Sequence, residues 1–234
     1  MELLKVTPKT KKRISVNFSI KCLPMKTICA LFFIFAATPF YVSCGNKQDK
    51  VTKINEYINC ANEKVKERDH LGAIEYLSKA IELSPNDYGL YFARGSNKIE
   101  TEDYLGMVED FSKVIELNPN NSEAYRWVCY AKQELKDYLG VIEEASKLIE
   151  LNPNDEMADG YTYRGYAKFE INDYLGAIED LLKIIEFIPD FLDPYDKCIE
   201  AYIQLNDYEN AKKMQERKLF VEKKDGNNEN IIEE

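Results

Sequence analysis

The sequence predicts an all-α solenoid, and three periodicities carry that expectation. Asp69, Asp103, Asp137, Asp173 and Asp207 recur at spacings of 34, 34, 36 and 34 residues. Tyr57, Tyr91, Tyr125, Tyr161 and Tyr195 keep the same spacing. So do Gly72, Gly106, Gly140 and Gly176, with Asn210 in the fifth place, and Pro85, Pro119, Pro153 and Pro189 close the first four blocks. A period of this length marks one supersecondary unit stacked along an axis, each copy burying its apolar face against its neighbours. Arrays of this kind bind macromolecules far more often than they catalyse.

Each block reads as two helices. In the second, Tyr88, Tyr91, Phe92 and Gly95 begin an amphipathic run that ends near Ile99 and Glu100, and Thr101-Glu102-Asp103 is the break. Leu105, Val108, Phe111, Val114 and Ile115 form the next apolar stripe, with Glu109, Asp110 and Lys113 read as the opposite, outward side. Pro119 stops that helix, because proline has no N–H to continue the ladder. Helices of about 14 residues would be roughly 21 Å long, and the short break forces an antiparallel hairpin. The blocks are 54–87, 88–121, 122–155, 158–191 and 192–223, the two extra residues falling in the loop NPNDEMADG. In the fifth, Gln215 and Lys218 replace core residues, and Lys212, Lys213, Arg217 and Lys223 predict a polar end-cap. Residues 224–234 lack periodicity and are expected to be a disordered tail.

Within these blocks position 8 reads Ala61, Gly95, Cys129, Gly165 and Ile199. Position 17 reads His70, Tyr104, Tyr138, Tyr174 and Tyr208, and position 20 reads Ala73, Met107, Val141, Ala177 and Ala211. With tyrosine at position 4 and proline at 32, the pattern resembles the tetratricopeptide repeat family from Ile54 to about Lys223. The resemblance implies a right-handed superhelix whose concave face is lined by positions 2, 5, 9, 12 and 13 of each first helix, a surface for a protein or peptide ligand. Asn62, Phe92, Arg126, Tyr130 and Tyr166 stand at such positions, with Glu134 and Glu170 forming an acidic rim. Trp127, the one tryptophan of the chain, neighbours them at position 6. Chaperone-binding members use a lysine, asparagine and arginine clamp on a terminal carboxylate. That set is missing here, and Asn62 with Arg126 does not complete it.

Residues 1–43 read as a leader and signal peptide, with Met25 an alternative start. The run 27–44, TICALFFIFAATPFYVSC, is too short and too interrupted by Pro39 for a permanent span of about 20 apolar residues. Its end, Val42-Ser43-Cys44-Gly45, resembles the lipobox of bacterial lipoproteins, with Tyr41 where leucine is usual. That resemblance implies a lipid on Cys44, residues 44–53 as a tether, and a place in the bacterial cell envelope on the periplasmic or outer side of a membrane. An uncleaved signal anchor and another secretory route are the alternatives.

Seven of the 31 Lys/Arg and one of the 41 acidic residues precede Cys44, so residues 44–234 carry a net charge of −16. Such a body disfavours nucleic acid, whose phosphates require a basic face. No Walker loop, dinucleotide fingerprint or nucleophile elbow is present, and neither an active site nor a cofactor is expected. His70 reads as a polar stand-in for an interhelical aromatic, Asp155, Glu156 and Asp159 as a solvated acidic loop without metal, and Cys60, Cys129 and Cys198 as buried free thiols. The function read from the sequence is a noncatalytic, membrane-anchored scaffold holding a partner segment in its groove. The alternatives are a subunit of an envelope assembly machine (outer-membrane protein insertion or pilus assembly) and a glycan- or small-ligand-binding protein or enzyme accessory.

Overall fold

The computed structural model describes residues 47–152 and 158–229. Every regular element in them is a helix. Helix α1 covers 47–66. It is followed by α2 (His70–Leu83), α3 (Tyr88–Ile99), α4 (Tyr104–Leu117), α5 (Ser122–Glu134) and α6 (Tyr138–Leu151). The chain then continues through α7 (Asp159–Glu170), α8 (Tyr174–Phe187), α9 (Asp193–Gln204) and α10 (Tyr208–Glu229). Each helix packs on the one before and the one after it, as a solenoid requires. Helix α5 also touches α7 directly, whereas no two second helices meet comparably. At that point of the array the first helices therefore lie on the inner side of the curve.

The conserved spacing of aspartate and glycine has a local cause. At the end of each first helix one residue turns left-handed: Arg68, Glu102, Lys136, Asn172 and Asn206 have φ between 54° and 65°. The following aspartate N–H then reaches back to a carbonyl five residues earlier, as Asp103 does to Lys98 at 3.0 Å and Asp137 to Lys132 at 2.8 Å. This is a Schellman ending, which satisfies carbonyls that the helix leaves orphaned. The same aspartate caps the next helix, accepting a bond from the third residue on: Gly72, Gly106, Gly140 and Gly176 at 2.9–3.1 Å, and Asn210 in the last block. A Cβ at Gly106 would run into that capping carboxylate and sit 2.6 Å from the Lys98 ammonium. Glycine clears space for the cap. Because asparagine and glycine adopt a left-handed backbone at less cost than lysine, Lys136→Gly should raise stability by about 1 kcal/mol. An unchanged denaturation midpoint would show that the turn carries no such cost.

In two units the other end is closed by tyrosine. Tyr91 donates its hydroxyl to the Pro85 carbonyl at 3.1 Å, and Tyr195 does the same to Pro189 at 3.0 Å. The core runs between blocks as well as within them. One cluster joins Met107, Phe111 and Val114 of α4 to Ala124, Val128 and Ala131 of α5. Small residues set the approach, since a Cβ at Gly95 would lie 2.9 Å from the Phe111 ring.

Several expectations are corrected. Asp110 does not face outward; it is 1% exposed, as Asp180 is 3%. Each is neutralised in place. Asp110 accepts from Arg94 at 2.6 and 3.0 Å and pairs with Lys98 at 3.0 Å, while Arg94 also reaches Ser78 on α2 at 2.9 Å. Arg164, Lys168, Asp180 and Ser146 repeat the arrangement two blocks later. Leu105 leaves the apolar stripe instead: Leu71, Leu105, Leu139 and Leu175 are 67–71% exposed, one per block at the start of each second helix. At that point the stripe has not yet rotated onto the preceding helix. Cys60 is exposed, while Cys129 and Cys198 are buried free thiols.

The ends differ too. Residues 47–53, read as tether, belong to α1, and α10 runs on through Glu229 into the stretch expected to be a tail. No proline stops it, and a helix already nucleated by packing propagates through Asp225, Gly226, Asn227 and Asn228 although these rank low as helix formers. The end-cap buries Ala211 and Met214 and turns Lys218 to an ion pair with Asp196 at 2.7 Å. It is not wholly polar, because Phe220 is 73% exposed. Cys44, the signal region, residues 153–157 and residues 230–234 lie outside the described residues.

Candidate functional site

The inner face is built from α1, α3, α5, α7 and α9, and one of its clefts lies between α5 and α7. There Glu123, Arg126 and Trp127 of α5 and Tyr163 of α7 line a cleft of about 270 Å³. The helical period puts 123, 126 and 127 on one face, and Trp127 and Tyr163 hold the same block position. Arg126 spans the two helices, its Nη1 donating to Asp159 at 2.9 Å. Asp159 thus holds a cation from its own chain. Among the described residues no group of side chains could hold a metal ion.

The aromatic anchors are joined to one another. Phe92 meets Phe111 edge-on at 5.4 Å, Phe111 stacks on Trp127 at 6.1 Å and 18°, and Trp127 meets Tyr130 at 6.1 Å and 81°. Tyr130 in turn lies edge-on to Tyr104 at 6.1 Å. Such pairs add about 0.5–1.5 kcal/mol each beyond burial. Phe92, Trp127 and Tyr130 are all half-buried, so each divides its surface between this row and the groove. Tyr166, also half-buried, donates its hydroxyl to Asp193 of α9. Glu134 and Glu170 are exposed at the rim. Asn62 is exposed and stands apart, in a separate hollow of about 250 Å³ between α1 and α3 that includes Ile58, Val65 and Leu90. The structure therefore brings Arg126, Tyr130 and Trp127 together, and leaves Asn62 outside. Sequence reasoning missed Glu123 and Tyr163. The recurrence of an aromatic at block position 6 was the signal that points to the latter.

His70 meets Asn97 of the next block, Nδ1 to Oδ1 at 3.0 Å, a packing role at the position where other blocks carry tyrosine. Burial pushes the Tyr163 hydroxyl up to about 12, with Asp159 adding to the effect and Arg126 opposing it. Burial also raises Tyr166, reinforced by its bond to Asp193. The thiols of Cys129 and Cys198 are likewise pushed up to about 12 by burial, from 9.0. Groups raised in the folded state stabilise it fully below their unfolded values, and that stability is lost as pH climbs through the folded ones. Stability should therefore fall from pH 9 towards 12, each thiol contributing at most about 2 kcal/mol of the loss by pH 10.5. Denaturant titrations at pH 8 and 10.5 measure it, and a Cys129→Ala/Cys198→Ala variant should lose less. An equal loss in that variant would assign the effect to the tyrosines alone.

Two stretches, 57–87 and 88–121, each match the family model described as Tetratricopeptide repeat. Solved structures share the tetratricopeptide solenoid across most of the chain. A crystal structure of MamA protein is 23% identical with a TM-score of 0.68, covering 75% of this chain and 94% of that one. MamA 41-end from Desulfovibrio magneticus RS-1 is 19% identical, with a TM-score of 0.63 and coverage of 74% and 96%. YrrB, described as a TPR protein with an unusual peptide-binding site, is 19% identical, with a TM-score of 0.62 and coverage of 70% and 84%. At these identities the likeness establishes the fold. No curated protein matches the chain.

Proposed function

We propose that this protein is a noncatalytic scaffold that holds an extended segment of a partner protein on the inner face of its tetratricopeptide array. The observation that carries the reading is the α5/α7 cleft. It is an inner-face hollow walled by Trp127 and Tyr163, continuous with Tyr130, on first helices that only their neighbours hold in place. Rigid aromatic faces with polar tips recognise polypeptide at low entropic cost. The peptide-binding site named for YrrB supports a similar use of the fold. Arg126, Tyr130 and Tyr166 supply the central contacts, Phe92 and Asn62 extend them towards the N-terminal blocks, and Glu134 and Glu170 bias the choice of partner. The proposal extends to a lipid on Cys44 that fixes the array to a membrane of the bacterial envelope. The signal-like run 27–44 and its Val-Ser-Cys-Gly end support this part.

Crosslinking and affinity capture from the native envelope test the reading. Tyr130→Ala and Tyr166→Ala should each weaken partner capture by roughly 1–3 kcal/mol, the range of an aromatic hot spot. Glu109→Ala, exposed on a second helix, should be silent. A partner that ignores both tyrosine changes and responds to substitutions on the second helices would move binding to the outer face. Acyl labelling that persists in Cys44→Ala would overturn the anchor.

A further inference from the structure

The cleft between α5 and α7 has the chemistry of a receptor for one cationic side chain. Its volume of about 270 Å³ falls below the roughly 300–1,000 Å³ of pockets that enclose a free small molecule, and suits a single long side chain. Two of its four lining residues are aromatic, Trp127 and Tyr163. The indole is fixed from behind by Phe111, stacked at 18°, so it presents a prepared wall. Of the two charged lining residues, Arg126 is already matched by Asp159 at 2.9 Å. Glu123 is exposed and makes no ion pair among the described residues. The cleft thus offers an aromatic face and an unmatched carboxylate together, the combination that draws an ammonium or guanidinium out of water.

Its surroundings favour the same ligand. Glu100, Glu134 and Glu170 occupy block position 13 in successive blocks, all exposed. They place one carboxylate in each of three successive repeats. The body they belong to carries a net charge of −16 from residue 44 onward. A basic segment would be steered to this face and an acidic one repelled.

The geometry points to a lysine or arginine side chain of an extended basic segment of the partner protein as the occupant of this cleft, seated against Trp127 and Tyr163 with Glu123 as its counter-ion. This rests on the groove reading above and adds the chemistry of its ligand.

Trp127 is the only tryptophan in the chain, so its emission reports on the cleft and the aromatic row beside it. The full-length protein is titrated with three synthetic peptides, Ac-(Lys-Ser)5-amide, Ac-(Gln-Ser)5-amide and Ac-(Glu-Ser)5-amide, with calorimetry in parallel. The lysine peptide should shift Trp127 emission saturably, more weakly as salt rises, and the other two should not. Glu123→Gln and Tyr163→Leu should each weaken that binding about tenfold. Failure of the lysine peptide to bind, or emission shifts of equal size with the glutamine or glutamate peptide, overturns the cationic site. So does calorimetric binding of the lysine peptide that leaves Trp127 silent and survives Glu123→Gln. Partner capture decides the wider reading separately. A partner lost with Tyr130→Ala and kept with Glu123→Gln leaves the groove in place and removes only this assignment.

Discussion

Asp110→Ala should lower the unfolding free energy by about 3–5 kcal/mol, the usual cost of breaking a buried ion pair from one side. The carboxylate is almost fully buried and holds two cations of α3, Arg94 and Lys98. Removing it leaves two positive charges side by side with little water to screen them. Arg94 also reaches Ser78, so α2, α3 and α4 should loosen together. Asp180→Ala should cost a similar amount through Arg164 and Lys168. The double variant should cost nearly the sum, because the two networks share no partner. Denaturant unfolding followed by far-UV circular dichroism measures all three. A loss below about 1 kcal/mol would mean that water reaches Arg94 and Lys98 well enough to replace the aspartate.

Phe111→Ala is the second large effect. Phe111 is fully buried, with Phe92 edge-on at 5.4 Å and Trp127 stacked at 6.1 Å. Truncation should cost about 3–5 kcal/mol, transfer and cavity terms together. It should also release Trp127, so that peptide binding on the inner face weakens even where the helices survive. Gly95→Ala offers a control, since its Cβ would sit 2.9 Å from that ring. It should be harmful alone and partly restorative beside Phe111→Ala. Additive losses in the double variant would show that the space is not shared.

The parts legible in the sequence are those fixed by local rules. The aspartate, glycine and proline periods follow from caps and turns within a few residues, and they placed the helix breaks without any knowledge of packing. Asp110 was misread because a helical wheel sends every carboxylate outward. The compensating charges lie on another helix, 16 and 12 residues earlier. The clue was available: Arg94, Lys98 and Asp110 recur as Arg164, Lys168 and Asp180 at equal block positions, which a solvated face has no reason to keep. Arg126 and Tyr166 were legible as groove residues. Their partners Asp159 and Asp193 were not, because each belongs to the next block and depends on how the blocks stack.

The doubled role of the aspartate at each hairpin bears on where this chain can change length. One residue there ends the first helix through its N–H and starts the second through its carboxylate, in all five blocks. No residue can be inserted without parting those two tasks. The junctions between blocks are looser. Asp87 and Asn121 cap the helices that follow them, whereas α7 and α9 start with no side-chain cap. The two-residue excess of the third period falls at one of these uncapped starts. A cleavage site, a fluorescent tag or a grafted loop belongs there, between Asn152 and Ala158, where the sequence already carries two residues more than the other periods.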